Sequence, residues 1–288
     1  MSTQAPQTAP RAAQPAFLIE PVAEQVRYLK AMFYGGYGTG KTTLAASAQD
    51  VASMKNVLFI DAEGGTMSIR KRKDIDVIKV THYNQFARVY EFLQRHIKAR
   101  DAQDTEMLRK LEAYYRNIPL DSIKEPKIYN TVVVDSLTEV QKYCMYHLLG
   151  VNVENFILDA TPDSPQYSEW NKSAEMIRLL IRKFRNMPMH IIFVCSAAKE
   201  QDETKRYFYE PALPGKLASE VQGFFDVVGY LYTAPVEGGG AMQRRLYVLP
   251  GRTFAAKHRF EDFTGSYFDS PTMLELSKYK LMPEEATK

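Results

Sequence analysis

One stretch of the sequence has the composition of a loop that binds phosphate groups. Residues Gly35 to Thr42 read Gly-Gly-Tyr-Gly-Thr-Gly-Lys-Thr and match the pattern G-x-x-x-x-G-K-[ST]. Glycines let successive backbone N–H groups turn toward an anion, because no side chain obstructs them. In this pattern Lys41 reaches the β- and γ-phosphates of ATP and Thr42 is a ligand of Mg²⁺. The predicted nucleotide-binding residues are Gly35, Gly36, Tyr37, Gly38, Thr39, Gly40, Lys41, Thr42 and Thr43.

Three apolar segments end in polar residues that would complete such a site. TVVVD ends in Asp135, which we predict to be the second protein ligand of Mg²⁺. FIDAE carries Asp61 and Glu63, and we predict that Glu63 is the general base for the attacking water. HIIFVCS ends in Ser196, which is predicted to sense the γ-phosphate. The alternative for each residue is a solvated polar group at the end of a strand.

The order of apolar segments predicts an α/β fold. Strands are expected over 28–34, 56–63, 75–80, 131–136 and 190–196, and helices over 41–51, 83–116, 137–149 and 166–186. Buried strands separated by helices imply a mainly parallel sheet with helices on both faces. Segments 227–233 and 244–250 flank a Gly-Gly-Gly turn and predict an antiparallel hairpin at the C-terminal edge.

Length and composition are those of one soluble globular unit. The chain has 288 residues and a net charge of +3, which does not by itself indicate a nucleic-acid-binding protein. We expect a disordered tail over 1–16, an ATPase domain over 17–270, and a C-terminal helix and tail over 271–288. Two cysteines in apolar segments and the lack of a run of about 20 apolar residues predict reduced thiols, a cytoplasmic location and no membrane role.

Taken together, these motifs resemble the RecA-type ATPase core. FIDAE is similar to the RecA segment that carries the catalytic glutamate, VVVDS to the Walker B strand, and HIIFVCS to the next core strand. Within this class the chain is most similar to small phage-encoded proteins of the AAA type, a group of single-strand annealing proteins, also through ALPGKLASEVQGFFDVVGYLY. This resemblance implies DNA-stimulated ATP hydrolysis, binding of single-stranded DNA, and annealing or pairing during phage recombination in the host cytoplasm.

The resemblance also implies contacts between subunits. RTFAAKHRFEDF is similar to the Lys-x-Arg-Phe motif of RadA-like proteins, which reaches the ATP of the adjacent subunit. On this basis Lys257 and Arg259 would act in trans within a ring or filament. The alternative is that they are a pair of surface cations. A single-strand-binding protein is a further partner that the resemblance suggests.

A basic and aromatic segment is the predicted DNA contact. In a RecA-like core the loops after the Asp135 and Ser196 strands face DNA, and here these are about 150–168 and 197–216. The second loop contains Lys199, Lys205, Arg206, Tyr207, Phe208 and Tyr209. Cations of this kind bind phosphates while rings stack on unpaired bases. The alternative is a solvated hairpin with alternating polar and aromatic residues.

Two other functions are compatible with the same phosphate loop. The modest net charge favours a nucleotide-gated assembly or interaction protein without a DNA partner. A small-molecule kinase would also contain the loop, but it leaves the acids of FIDAE unexplained.

Overall fold

The structure is a computed structural model that describes residues 28–151, 164–201, 205–236, 239 and 241–279. The predicted tail over 1–16, much of the first predicted DNA loop, most of the Gly-Gly-Gly turn and the chain from residue 280 lie outside the described residues. Among the helices that are described, none combines the length and the apolar character needed to cross a bilayer.

Strands and helices alternate through the first two thirds of the chain. The strands are β1 (Lys30–Gly35), β2 (Val57–Asp61), β3 (Asp76–Lys79), β4 (Thr131–Asp135), β5 (His190–Gln201), β6 (Tyr207–Pro211), β7 (Val227–Pro235), β8 (Met242–Tyr247) and β9 (Tyr267–Asp269). The α-helices are α1 (Lys41–Ala46), α2 (Gln85–Asp101), α3 (Thr105–Arg116), α4 (Leu137–Leu148), α5 (Tyr167–Arg185), α6 (Leu217–Glu220) and α7 (Met273–Ser277).

The strands form a sheet in the order β3-β2-β4-β5-β1-β7-β8-β9, and β6 pairs with the outer part of β5. β3, β2, β4, β5, β1 and β7 run parallel, whereas β8 and β9 are antiparallel to their neighbours. The predicted fold, a mainly parallel sheet with an antiparallel hairpin at its C-terminal edge, is therefore confirmed. Because the parallel strands share a direction, their carboxyl ends meet at one edge of the sheet.

Helices cover both faces of the sheet. Met32 and Tyr34 of β1 belong to the apolar cluster that also contains residues of α2, α3, α4 and α5, while Ala31 and Phe33 belong to the cluster that contains residues of α1 and α7. This alternation follows from the period of two residues along a strand. All four side chains are buried, which matches the almost continuously apolar sequence expected of a central parallel strand.

Besides shifts of a few residues at strand ends, three elements differ from the sequence prediction. The expected single helix over 83–116 is two helices, because the chain turns at 102–104 and the Asp104 side chain accepts a hydrogen bond from the backbone N–H of Met107 to begin α3. The expected helix over 41–51 is α-helical only to Ala46 and continues as a 3₁₀ turn. β5 continues five residues beyond Ser196, so the predicted loop over 197–216 begins as a β-hairpin.

Tyr34 ties three parts of the chain together just before the phosphate loop. Its hydroxyl donates to the carbonyl of Ala255 and lies 3.1 Å from the carbonyl oxygen of Tyr209. The Tyr209 ring in turn stacks on Tyr230 of β7 at a centroid distance of 5.6 Å. The middle of β6 is thereby attached to β1 and β7.

Two histidines accept backbone hydrogen bonds inside the fold. His190 Nδ1 accepts from the N–H of Leu29 at 3.0 Å, and His96 Nε2 accepts from the N–H of Tyr129 at 3.1 Å. Burial, followed by the nearby Lys30 for His190 and Arg100 for His96, lowers the pKa of each ring to about 4. Both rings are therefore neutral acceptors at neutral pH.

We predict that these two histidines make the fold sensitive to acid. In the unfolded chain each ring binds a proton near its ordinary pKa of about 6.5, so the unfolded state holds more protons as the pH falls below that value. The free energy of unfolding should fall by roughly 2–3 kcal/mol per histidine as the pH is lowered from about 6.5 to 4. Urea denaturation at several pH values measures this dependence.

A matched pair of variants assigns the effect. His190→Asn keeps an acceptor near the Leu29 N–H but cannot titrate, so it should remove about half of the pH dependence, and His96 should account for the rest. His147→Asn changes an exposed ring and should leave the dependence as it is in the parent protein. Equal pH dependence in the parent and in His190→Asn would show that His190 is not responsible.

Candidate nucleotide-binding site

The phosphate loop joins β1 to α1 in a conformation that requires glycine at two positions. Gly38 and Gly40 have φ angles of 72° and 96°, in the left-handed region that other residues rarely adopt. Gly35 has a different requirement, because a Cβ built on it would lie 2.2 Å from the carbonyl oxygen of Leu231 on β7. Thr39 closes the loop by donating from its hydroxyl to the carbonyl of Gly36 at 2.9 Å.

Lys41 lies across the loop that precedes it. Its ammonium donates to the carbonyl oxygens of Gly35 at 3.0 Å and Gly36 at 2.8 Å. Burial lowers the pKa of Lys41, while the negative charges of Glu63 and Asp135 act in the opposite direction. The ammonium is thus held inside the loop and faces both acids that the sequence assigned to the site.

Thr42 and Asp135 are in direct contact. The Thr42 hydroxyl donates to Asp135 Oδ2 at 2.7 Å, although the two residues are 93 positions apart in the chain. Asp135 is only 2% exposed, and burial, together with the charges of Glu63 and Asp61, raises the pKa of its carboxyl to about 6. Gly65 lies close by, since a Cβ built on it would be 3.3 Å from both oxygens of this pair.

The segment after β2 carries Glu63 on a turn that Asp61 organises. Asp61 Oδ1 accepts from the backbone N–H of Gly64 at 2.7 Å and of Glu63 at 3.2 Å. Its other oxygen accepts from the Thr66 hydroxyl. Asp61 is buried and bonded within its own turn, whereas Glu63 is exposed and its charge acts on Lys41. The two neighbouring acids therefore occupy different environments, and Glu63 is the one available to a water molecule.

Ser196 is at the level of Gly35 in the neighbouring strand, as the register of β1 and β5 shows. Its backbone N–H donates to the Thr138 hydroxyl at 3.0 Å, and the same hydroxyl lies 3.2 Å from Cys195 Sγ. The structure thus brings Ser196 to the edge of the site and adds Thr138, at the start of α4, which the sequence analysis did not single out.

The residues present fit a magnesium–nucleotide complex. The Thr42 hydroxyl and the Asp135 carboxylate are the hard oxygen ligands that Mg²⁺ prefers, and they already lie within one hydrogen-bond length of each other. Such an ion would place a positive charge beside a carboxyl group whose pKa is raised by burial and by the charges of Glu63 and Asp61. Among the described residues, no group of three or more His, Cys, Asp and Glu side chains forms a separate metal site.

Lys257 and Arg259 lie away from the phosphate loop of their own chain. Lys257 forms a β-bridge with Val228 of β7. Val228 is opposite Met32 of β1, and Met32 is three residues before Gly35. Arg259 forms an ion pair with Asp226 at 3.0 Å, near the amino end of the same strand. The separation along the strand is roughly 10 Å for Lys257 and more for Arg259, so the structure does not bring either residue to this site.

The predicted DNA loop is an antiparallel hairpin of β5 and β6 with a mixed surface. The ammonium of Lys199 lies 3.6 Å from the centre of the Tyr207 ring, and Tyr207 is 54% exposed. Lys205 and Arg206 are exposed at the end of the hairpin, whereas Phe208 is half-buried. Glu200 and Glu210 lie on the same hairpin and reduce its positive charge. The segment is therefore a hairpin and not an open loop, and its contact with DNA stays a prediction.

Residues that the motifs did not indicate also surround the site. Gly65 allows the turn after β2 to approach the Thr42–Asp135 pair, and the Tyr143 hydroxyl donates to the carbonyl of Ala62 at 2.9 Å. Arg244 of β8 lies against Gly40. These contacts join segments that are far apart in sequence, and none of them leaves a local spacing pattern.

Several solved structures are similar to this chain at low sequence identity. A KaiC-like protein from Pyrococcus horikoshii is 13% identical, with 85% of this chain and 90% of that chain covered and a TM-score of 0.37. The flagellar accessory protein FlaH from Methanocaldococcus jannaschii is 11% identical, with 85% of each chain covered and a TM-score of 0.36. A RadB recombinase is 16% identical, with 84% and 87% covered and a TM-score of 0.37.

Among curated proteins, none matches the sequence. The model of the AAA domain family matches residues 27–260, which include every element from β1 to the segment after β8. This range contains the phosphate loop, the Thr42–Asp135 pair and the turn that carries Glu63. The chain therefore belongs to the AAA domain family, and its site is built as that of a P-loop ATPase.

Proposed function

We propose that this protein binds and hydrolyses ATP with Mg²⁺, and that it uses this activity on single-stranded DNA to promote annealing or pairing in phage recombination. The observation that carries the ATPase part is the 2.7 Å contact between Thr42 and Asp135 beside Lys41 and Glu63. The DNA and phage parts are supported by the resemblance of the sequence to phage annealing proteins and by the exposed cation and ring on the β5–β6 hairpin.

Each residue of the site has a separate part in hydrolysis. Lys41 would exchange its two carbonyl partners for phosphate oxygens, because the loop carbonyls are weaker acceptors than charged oxygens. Thr42 and Asp135 would hold Mg²⁺, which neutralises negative charge on the phosphates when bound. Glu63 would orient the attacking water and accept its proton.

We predict that two substitutions separate binding from hydrolysis. Lys41→Ala should abolish measurable turnover, because it removes the cation that faces the phosphates. Glu63→Gln should lower kcat by about 100-fold or more and leave the Kd for ATP within about threefold, since only proton transfer is lost. Phosphate release and a fluorescent ATP titration measure the two quantities.

Glu91→Gln is the matched control for this experiment, because it changes an exposed acid on α2 in the same way. Its kcat and Kd should equal those of the parent protein. Hydrolysis by Glu63→Gln at the parent rate would show that another group activates the water.

The hairpin contact between Lys199 and Tyr207 suits single-stranded DNA. An exposed ring offers a stacking surface to any base, and the ammonium above it offers a charge to the adjoining phosphate. Tyr209, midway along β6, is attached to β1 through Tyr34, so the hairpin is held at a fixed place relative to the phosphate loop.

We predict that Tyr207→Ala weakens binding of a labelled single strand by about tenfold in fluorescence anisotropy at low salt, because stacking on one base is lost. Lys199→Ala should weaken binding less and should reduce the dependence of the affinity on salt, because one phosphate contact is lost. ATP turnover measured with and without the same DNA tests whether DNA stimulates hydrolysis.

Lys110→Ala and Tyr114→Ala are matched controls, because they remove an exposed cation and an exposed ring from α3. Neither should change DNA binding. If the parent protein binds no single-stranded DNA at low salt while it hydrolyses ATP, the nucleotide-gated assembly function replaces the DNA function. Phosphate transfer from ATP to an acceptor other than water would instead indicate a kinase.

The location of Lys257 and Arg259 supports an assembly in which one subunit completes the site of the next. In a head-to-tail ring or filament, the surface that carries these cations would face the phosphate loop of a neighbour. Arg259 would have to leave its ion pair with Asp226 to act there. That exchange is compatible with an exposed pair, because such pairs contribute little to stability.

We predict that two inactive variants restore activity when they are mixed. Lys41→Ala retains the cations and the double variant Lys257→Ala/Arg259→Ala retains the phosphate loop, so a mixed assembly contains complete sites. In a random head-to-tail assembly of equal amounts, about half of the subunits carry an intact phosphate loop and about half of their neighbours carry intact cations. About one quarter of the sites are then complete, so about one quarter of the parent turnover should return. A chain with all three substitutions is the control, and turnover of the mixture no higher than that of the separate variants would exclude action in trans.

A further inference from the structure

Arg244 is held against the phosphate loop by the C-terminal hairpin. It lies on β8 opposite Thr233 of β7, two residues beyond the pair formed by Leu231 and Gly35. A Cβ built on Gly40 would lie 2.6 Å from Arg244 Nε and 2.7 Å from its Cζ. The guanidinium therefore rests on the backbone of the loop at the glycine that precedes the lysine.

The face of β8 that carries Arg244 is fixed by its neighbour. Arg244 and Leu246 are two residues apart and point to the same side of the sheet. Leu246 is buried in the apolar cluster that contains Leu44 of α1. Arg244 consequently points to the side of the sheet on which α1 and the loop lie.

Arg244 and Arg245 differ in their partners. Arg245 points to the other face, forms an ion pair with Asp269 at 2.7 Å and lies over the Tyr267 ring at 4.7 Å. The Arg244 side chain is exposed, and in the part of the chain that the structure describes its guanidinium takes part in no hydrogen bond and no ion pair. One arginine of the pair therefore stabilises the sheet edge, while the other has its donors available.

The sheet order indicates which part of a nucleotide Arg244 would meet. β1 has β5 on one side and β7 on the other, so Asp135 on β4 and Arg244 on β8 lie on opposite sides of the loop. In the proposed mechanism, Lys41, Asp135 and Glu63 lie on the side of the γ-phosphate and the metal. The opposite side of the loop is left for the α-phosphate and the nucleoside.

We propose that Arg244 binds the α-phosphate of the nucleotide held in its own subunit. This inference rests on the proposed nucleotide binding and adds a residue that positions the nucleotide without taking part in the chemistry. A guanidinium binds phosphate oxygens through charge-assisted hydrogen bonds, and its position beyond Gly35 brings it above the loop. Because ATP and ADP share the α-phosphate, Arg244 should stabilise both complexes equally.

Equal stabilisation of substrate and product complexes has a kinetic consequence. An interaction that is the same in the ground state and the transition state changes KM and leaves kcat unaltered. Arg244 should therefore act on affinity, in contrast to Glu63, which should act on the rate of the chemical step.

The test compares Arg244→Ala, Arg244→Lys and Arg245→Ala in titrations with MgATP, MgADP and adenosine, together with steady-state hydrolysis. We expect Arg244→Ala to weaken MgATP and MgADP alike by about tenfold, with kcat within about twofold of the parent value. Arg244→Lys should recover part of the affinity, because it keeps the charge. Adenosine should bind to all variants as it binds to the parent protein.

Arg245→Ala is the matched control, because it removes the adjacent guanidinium from the other face and should leave nucleotide affinity unchanged. Unchanged affinity of Arg244→Ala for MgADP would overturn the inference. A loss confined to MgATP would also overturn it, since the contact would then be with the γ-phosphate. A similar loss for adenosine would do so as well, because the guanidinium would be stacking on the base.

Failure of the inference is distinguishable from failure of the proposed function. If the parent protein binds MgADP and Lys41→Ala does not, the nucleotide site is established whatever Arg244 does. If the parent protein binds neither nucleotide, the proposed function and the inference are both wrong. Circular dichroism of each variant checks that the fold is retained.

Discussion

The hydrogen bond between Thr42 and Asp135 is the interaction on which the site depends. β5 lies between β1 and β4, so these strands are separated by two strand spacings, or roughly 10 Å. The contact forms because the loop after β1 turns back over the sheet edge while Asp135 ends its strand at the same edge. Parallel register is the constraint behind it, since a shift of one residue would turn Asp135 to the other face.

The electrostatic balance of the site follows from that geometry. Glu63 and Asp135 act on the ammonium of Lys41, and Asp61 is a third carboxyl group that acts on Asp135. Asp61 is stabilised by its own turn, but Asp135 is buried with one hydroxyl as its hydrogen-bond donor, which explains the raised pKa of its carboxyl. A site with this excess of negative charge binds a divalent cation more readily than a free anion, so the metal and the nucleotide are expected to bind together.

Much of this arrangement could be predicted from the sequence because the central strands are continuously apolar and the phosphate loop has a local pattern. The extension of β5 could not be predicted in that way, since residues 197–201 are small or polar and form a strand only through pairing with β6. The break at 102–104 was detectable in principle, because Asp104 is a typical N-cap residue. Thr138 and Arg244 left no signal, since their contacts arise from sheet order and hairpin register.

Because the hairpin is attached at Tyr34, its outer part can vary in sequence while the ATP site stays the same. The carbonyl of Tyr209 that lies beside the Tyr34 hydroxyl is midway along β6, in the residue paired with Lys199. The outermost pair of the hairpin is that of Gln201 with Tyr207, two residues further along the strands, and β5 and β6 are joined beyond this pair. Insertions, deletions or new side chains at the turn would therefore leave the ATP site unaltered, so the same nucleotide-binding core could be adapted to different partners by variation of one outer segment.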